Sequence, residues 1–313
     1  MECYLTYMYS IAVTMDRSAD FALLAPSNGR NTIYKRSAKS QTSCAAHFTV
    51  PYINDSVVSG GTTGIVQLLP CRHVRKAPFP DDKATRRISL RDLKREAEIY
   101  QRLPHQRGIL RMIDYSPDHG VVLEFMEHGH LAGYLKKYAR QISLRQRLIW
   151  ASEASGLVYL LHTHGVIHCD IKPRNFLLDP MLRLCIIDFA GSSLDGSDAS
   201  CMQSPRFCLP QHVDDDPTVQ MDLFALGSTL YQIMTGEEPY PDVSEEVVIE
   251  RFSRHDFPSL LGIDCGDAIS KCWRGECLSA QEIQDAIEDQ VRFTRPSPLY
   301  DDVLEAFPDC EGT

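Results

Sequence analysis

The sequence predicts an α+β chain in two lobes: a small antiparallel sheet with one helix, then a mainly helical half. Two observations carry that expectation. Over residues 49–125, short apolar runs of strand length are separated by glycine and proline turns, and only one helical period interrupts them. After Gly129, apolar residues recur three and four apart over long stretches. Elements sorted in this way pack as two lobes joined near residues 124–129, and clefts between lobes are preferred ligand sites.

The elements follow in order. Val57 and Val58 close a strand-like run, and the stretch 59–64, Ser-Gly-Gly-Thr-Thr-Gly, makes a turn. Residues 65–69 and 71–76 read as two further strands. Ser89 stands where a helix N-cap belongs, with Leu90, Leu93, Ala97, Tyr100 and Leu103 at helical spacing until Pro104. Strands are expected at 110–115 and 120–125. Helices are expected at 131–138 and 144–164, the second opened by Ser143 and Gln146 in a capping-box pattern. Short strands near 176–178 and 185–187 precede helices at 221–235, 244–253, 266–272 and 279–291.

Composition narrows the function classes. At 43% hydrophobic and 24% charged, the chain has the make-up of a soluble globular protein. A formal net charge of −10 argues against general nucleic-acid binding, which requires a basic face. The eleven cysteines form no C-x-x-C pair; Cys272 and Cys277 come closest, without further ligands at zinc spacing, so free thiols in a reducing compartment are expected. The apolar stretch 3–15 lacks the cationic flank of a secretory signal and is too short to span a bilayer. A cytoplasmic protein is expected, with the nucleus left open, no membrane partner, and a monomer as the default state. Residues 1–49 show no sustained period and read as a flexible tail.

The chemistry concentrates at His168-Cys169-Asp170-Ile171-Lys172-Pro173-Arg174-Asn175, followed by Asp188-Phe189-Ala190-Gly191. Phosphoryl transfer needs a carboxylate to take the nucleophile's proton, a cation for the phosphate oxygens, and oxygen ligands for Mg²⁺. Asp170, Lys172, Asn175 and Asp188 are residues of those types in that order.

These runs resemble the catalytic loop H-R-D-x-K-x-x-N and the metal-binding D-F-G of protein kinases. The resemblance extends over about 57–291 and is similar in its runs to small kinase-domain-only proteins of filamentous fungi. It implies a two-lobed protein kinase fold over residues 50–293, with an N-lobe at 50–125, a hinge at 124–129, a C-lobe at 130–293 and a tail at 294–313. The ligands it implies are ATP, Mg²⁺ and a protein substrate bearing Ser or Thr. Asp170, Lys172 and Asn175 are then the catalytic residues, and Asn175 and Asp188 the metal ligands.

Other positions take their roles from the same resemblance. Ser59, Gly61 and Gly64, with Val66, match the phosphate-covering glycine loop, with Ser59 in place of its first glycine. Lys76 stands at the strand lysine, with Val74 on the same side, and Glu96 at the helix glutamate that pairs with it; Glu98 is the rival. Glu124 and Met126 would hold adenine through backbone groups, with Leu123 at the gatekeeper position and Val66, Val74 and Leu177 around the ring. Asp222 matches an aspartate that accepts hydrogen bonds from the catalytic loop. Lys172 two residues after Asp170 is the Ser/Thr type of loop.

Three departures bear on regulation. Cys169 replaces an arginine that reads activation-loop phosphate. Ala190 replaces a glycine at a flipping point. Gln211 replaces an acid of a buried ion pair, so either neutral hydrogen bonds in its place or a less stable C-lobe is expected. A second function class, a nucleotide-binding scaffold without transfer, follows from these losses; the retained Lys76, Glu96, Asp170, Asn175 and Asp188 favour transfer. A small-molecule phosphotransferase, a third class, is disfavoured by Lys172-Pro173 and by the helix at Asp222.

Overall fold

The computed structural model describes residues 57–60, 63–80, 83–200, 203–210 and 216–294. The tails at 1–49 and 294–313 lie outside this range except for Thr294, as do Gly61 and Gln211.

The N-lobe is a five-stranded antiparallel sheet in the order β1-β2-β3-β5-β4. Its strands are β1 (Val57–Gly60), β2 (Ile65–Leu68), β3 (His73–Ala77), β4 (Met112–Ser116) and β5 (Gly120–Glu124). Val66 pairs with Lys76, and Lys76 in turn with Val121, so β3 is central between β2 and β5. The period of two puts Val74 and Lys76 on one face, as expected. The third strand starts later than the sequence suggested. Cys71 and Arg72 belong to its entry turn, where Arg72 has φ 60° and its N–H donates to Leu69 O at 3.0 Å.

Helix α1 runs Lys83–Arg102, beginning six residues before Ser89. Ser89 is therefore no cap. It is buried inside the helix, where its hydroxyl donates to Thr63 O and accepts from Phe79 N at 3.3 Å. The early turns carry charged, exposed residues with no apolar period, which hid them from a pattern reading. Leu93, Ala97, Ile99 and Tyr100 form the buried face against the sheet.

The C-lobe follows the expected order closely. Helices α2 (Leu131–Tyr138) and α3 (Leu144–Thr163) lead into short strands β6 (Val166–Ile167), β7 (Phe176–Leu178), β8 (Leu184–Ile186) and β9 (Ser193–Leu194). Then come α4 (Val219–Thr235), α5 (Glu245–Ser253), α6 (Gly266–Arg274) and α7 (Ala280–Phe293). Ser143 caps α3 by accepting from Gln146 N at 3.1 Å. Strands β6 and β9 pair, as do β7 and β8, and these two ribbons frame the loop that holds Asp170.

Helix α4 is apolar around most of its surface and so becomes the buried axis of the lobe. It packs on α6 through Gly227, where a Cβ would lie 2.7 Å from Cys272 Cβ and 3.1 Å from Trp273 Cδ1. Trp273 Nε1 donates to Ser228 Oγ at 3.0 Å, and the indole stacks on Phe257 with centroids 5.3 Å apart. Cys272 and Cys277 are free thiols with sulfurs 3.9 Å apart. Because both backbones at the α4–α6 contact are fixed, Gly227→Ala is expected to cost about 1–3 kcal/mol. Urea unfolding measures it; an unchanged midpoint would mean the two helices separate freely.

Candidate active site

The loop 168–175 is shaped by hydrogen bonds to a residue of α4. Asp222, fully buried, accepts from His168 N at 2.7 Å and Cys169 N at 2.8 Å, and bonds His162 Nε2 at 3.0 Å. Cys169 has φ 63°, a conformation disfavoured for a residue with a side chain; the paired bonds to Asp222 hold it there. This left-handed step turns Asp170 toward the cleft.

Within the loop, Asp170 has two unlike oxygens. Oδ2 receives Lys172 Nζ at 2.7 Å and Asn175 Nδ2 at 2.9 Å. Oδ1 is buried without a hydrogen-bond partner among the described residues. A second bond, from Asn175 Nδ2 to Asp170 O at 2.8 Å, fixes the amide. Burial raises the pKa of Asp170, opposed by the Lys172 ammonium. The combination is a half-saturated carboxylate that still accepts one donor.

Asp188 reaches the same space from the segment after β8. Its φ is 71°, so a second non-glycine residue of the site is held in the left-handed region. His168 fastens this segment to the loop: its Nε2 lies 3.0 Å from Ile187 O, and its carbonyl accepts from Ser192 Oγ at 2.9 Å. Phe189 is fully buried, edge-on to Tyr100 of α1 at 5.0 Å and to His168 at 5.5 Å.

From the other lobe, Lys76 contacts Asp188 Oδ1 directly and Glu96 Oε2 at 2.9 Å. Burial alone would lower the pKa of Lys76, but the two carboxylates outweigh it and raise it. Burial raises the pKa of Glu96 against the pull of Lys76, whereas Asp188 is held low by the ammonium despite its own burial. Glu98, the rival, is half-buried and pairs with Lys94 at 3.5 Å on the helix surface.

The expected residues therefore converge, with differences at the edges. Lys76, Glu96 and Asp188 form one ion cluster and Asp170, Lys172 and Asn175 another, with the Lys172 charge also acting on Asp188. Leu123 is buried, and Val74, Met126 and Leu177 are partly buried against the core. Val66 is half-buried on β2 beside Gly64, where a Cβ would lie 2.4 Å from Ala77 O; this is a position only glycine fits. Ser59 lies on β1 rather than in a turn, and Gly61 is outside the described residues. Glu124 is tied to Arg111, the residue before β4, its N–H donating to Arg111 O at 3.2 Å and its Oε1 accepting from Arg111 N at 2.8 Å.

Asn175 and Asp188 suit Mg²⁺. With its Nδ2 turned to Asp170, Asn175 keeps its carbonyl oxygen for a ligand, and Asp188 is one-third exposed. Two hard oxygen donors match an ion that takes one or two protein ligands and retains water and phosphate oxygens. Among the described residues no group of three His, Cys, Asp or Glu side chains is close enough to cage a metal.

Sequence reasoning missed His162, Arg95, Arg102 and Asp195. Arg102 grips Asp195 with two bonds, at 3.1 and 2.8 Å, and Arg95 Nη1 bonds Ser197 Oγ and Ser192 O, the latter at 3.4 Å. These contacts join α1 to the segment after Asp188 across about a hundred residues and leave no local pattern. Arg206, also missed, is buried and donates to Tyr240 O at 3.2 Å and Val243 O at 2.6 Å, beside Glu238 and Glu245. The anchoring expected at Gln211 concerns a residue outside the described ones.

A sheet-and-helix lobe over a helical lobe, with lysine–glutamate and aspartate–asparagine pairs meeting at the cleft, defines the two-lobed kinase class. The chain belongs to the protein kinase domain family, whose model matches residues 72–286. It is 28% identical over 187 residues to "Serine/threonine-protein kinase PLK4" of Nematostella vectensis, covering 56% of this chain and 19% of that protein. It is 27% identical over 212 residues to "Serine/threonine/tyrosine-protein kinase HT1" of Arabidopsis thaliana, covering 64% and 54%. With "Probable serine/threonine-protein kinase PknB" of Lactococcus lactis it shares 24% over 218 residues, covering 67% and 34%. The chain thus spans at most about half the length of these relatives. Their spread of organisms does not support a specifically fungal kinship.

Asp222 provides a direct check on the loop. Asp222→Ala orphans two buried N–H groups and is expected to destabilise the fold by about 2–5 kcal/mol. Hydrogen exchange at His168 and Cys169 is expected to rise more than at the α4–α6 contact. Equal rises at both places would count against local anchoring.

Proposed function

We propose that the protein is an ATP-dependent protein kinase that transfers the γ-phosphoryl group to Ser or Thr of protein substrates. The observation that carries the proposal is the buried, unpartnered Oδ1 of Asp170 beside an Oδ2 already saturated by Lys172 and Asn175. A substrate hydroxyl donates to Oδ1 and gives up its proton there as it attacks. Lys172, already at Asp170, faces the transferred phosphoryl group. Lys76, held by Glu96, meets the inner phosphates. Asn175 and Asp188 hold Mg²⁺, which neutralises charge on the phosphates when bound. Glu124, Met126, Val66, Val74 and Leu177 receive the adenine. Lys172 two residues after Asp170, and the names of the relatives, support Ser/Thr over Tyr acceptors.

The same proposal includes a monomeric protein of the cytoplasm. Two observations are compatible with it: no helix of the described residues is long and apolar enough to cross a membrane, and the cysteines described are free. Likeness to small fungal kinase-domain proteins rests only on sequence runs such as 168–179, His-Cys-Asp-Ile-Lys-Pro-Arg-Asn-Phe-Leu-Leu-Asp.

Activity without activation-loop phosphorylation is part of the proposal. A cysteine has no cationic form, so Cys169 supplies no cation for a phosphate, and burial, which pushes its thiol up to about 12, keeps it neutral. The segment after Asp188 is instead fastened by Arg102–Asp195, Arg95–Ser197 and Ser200 Oγ–Asp92 at 3.3 Å, all without phosphate. Phosphatase-treated protein is expected to retain its turnover; abolition by the treatment would refute this.

Purified protein with Mg²⁺ and γ-labelled ATP, wild type beside Asp170→Asn, tests the main claim. Label on Ser or Thr that falls at least about a hundredfold in the variant is expected, the size typical of removing a general base. Nucleotide binding with no transfer to any acceptor would instead favour the scaffold reading, to which Ala190 lends some support.

A further inference from the structure

The catalytic loop carries a cation that the chemistry above does not use. Arg174 lies in the 3-10 turn Pro173–Asn175, four residues after Asp170. The residues on both sides of it in this loop are consumed: Lys172 by Asp170 Oδ2, and Asn175 by Asp170 O and Oδ2. Arg174 is exposed and makes no hydrogen bond or ion pair among the described residues. In a chain of net charge −10, an unpaired, exposed guanidinium on the turn that carries Asn175 is a local reversal of sign.

A second donor flanks it. The turn packs against α2, whose N-cap is His130. His130 Nδ1 accepts from Gly133 N at 3.0 Å, so the neutral ring carries its proton on Nε2 and offers an N–H from its other edge. Burial, and then the nearby Arg174 charge, lower the pKa of His130 and keep the ring neutral. Two acidic residues near them in sequence are already engaged: Glu127 pairs with Arg72, and Asp179 accepts from Met181 N and Arg183 N, each at 2.8 Å.

We propose that Arg174, with His130 beside it, selects protein substrates bearing an anionic side chain close to the acceptor Ser or Thr. The inference rests on the kinase reading and adds a substrate class to it. A hydroxyl seated on Asp170 Oδ1 brings the flanking peptide across the same turn. A guanidinium on that turn reaches roughly 7–10 Å, two or three residues of extended chain. A carboxylate or phosphate there gains a charge-assisted, bidentate partner; an arginine there meets like charge. The acidic run 214–216 carries the opposite sign, but only Asp216 of it lies among the described residues, where it is exposed.

The test compares kcat/KM for one Ser peptide scaffold with Glu, phosphoserine, Gln or Arg placed in turn up to about three residues from the acceptor. Wild type is expected to favour Glu or phosphoserine over Arg by about 5- to 20-fold at one or more positions. Arg174→Glu is expected to reverse that ratio and Arg174→Lys to keep its direction. The phosphoserine and Glu arms tell whether a phosphate or a carboxylate is preferred. A purely structural role for Arg174 would lower all peptides alike and leave the ratio unmoved, which overturns the inference. A preference for Arg peptides in wild type overturns it too, while leaving the kinase reading intact. Absence of Asp170-dependent transfer to every peptide overturns the kinase reading and this inference together.

Discussion

The carboxylate of Asp222 is the constraint from which the site geometry descends. It sits inside the C-lobe with no exposed surface, where a charge without partners is costly. Three donors satisfy it, and two are consecutive backbone N–H groups, those of His168 and Cys169. Two consecutive amides on one carboxylate pin the chain as it enters Cys169, whose left-handed step delivers Asp170 to the cleft. His168 then passes the constraint on: its Nδ1 accepts from Asp170 N at 3.2 Å, while Nε2 reaches Ile187 O, one residue before Asp188. One buried acid thus sets both acidic residues of the site.

The second lobe is joined to this frame by charge and by packing. Lys76 lies between Glu96 and Asp188, and Phe189 fills the space between Tyr100 and His168. A buried ion cluster of this kind is poor as a source of stability, because desolvation offsets most of its attraction. It is better understood as orientation, since Lys76 is held by one carboxylate from each lobe. The contacts of Arg95 and Arg102 with the segment after Asp188 act on the same helix and so on the same glutamate. Each exposed pair is worth little by itself. Their effect depends on all of them acting on one rigid helix.

What the sequence revealed follows from the range of the interactions. Asp170, Lys172 and Asn175 form a local loop whose hydrogen bonds span five residues or fewer, so spacing alone exposed it. Periodicity likewise marked α2, α3 and α7 to within a residue or two, because each buries a stripe. Ser89 misled because a serine before an apolar period has the pattern of a cap, while its actual partners, Thr63 O and Phe79 N, come from strand-lobe segments. Arg102 and Asp195 are 93 positions apart, and neither is unusual in its own neighbourhood. His162, at the end of α3, reads as an ordinary last-turn basic residue until α4 is brought beside it. Long-range polar partners are chosen by the fold, and a single sequence does not carry that information.

Some of this chain's departures from local rules fall in the site. Cys169 and Asp188 hold positive φ without being glycine, and Asp170 buries an oxygen with no partner among the described residues. Each departure costs on the order of 1–3 kcal/mol in isolation. A fold optimised for stability alone would relieve them with an Asn or Gly at the turns and an apolar residue at Asp170. In the proposed reaction, a hydroxyl that donates to Asp170 and cations that meet Asp188 would offset them. Arg174 belongs to the same logic from the solvent side: an unpaired cation costs little in water but sets the sign of what approaches Asp170.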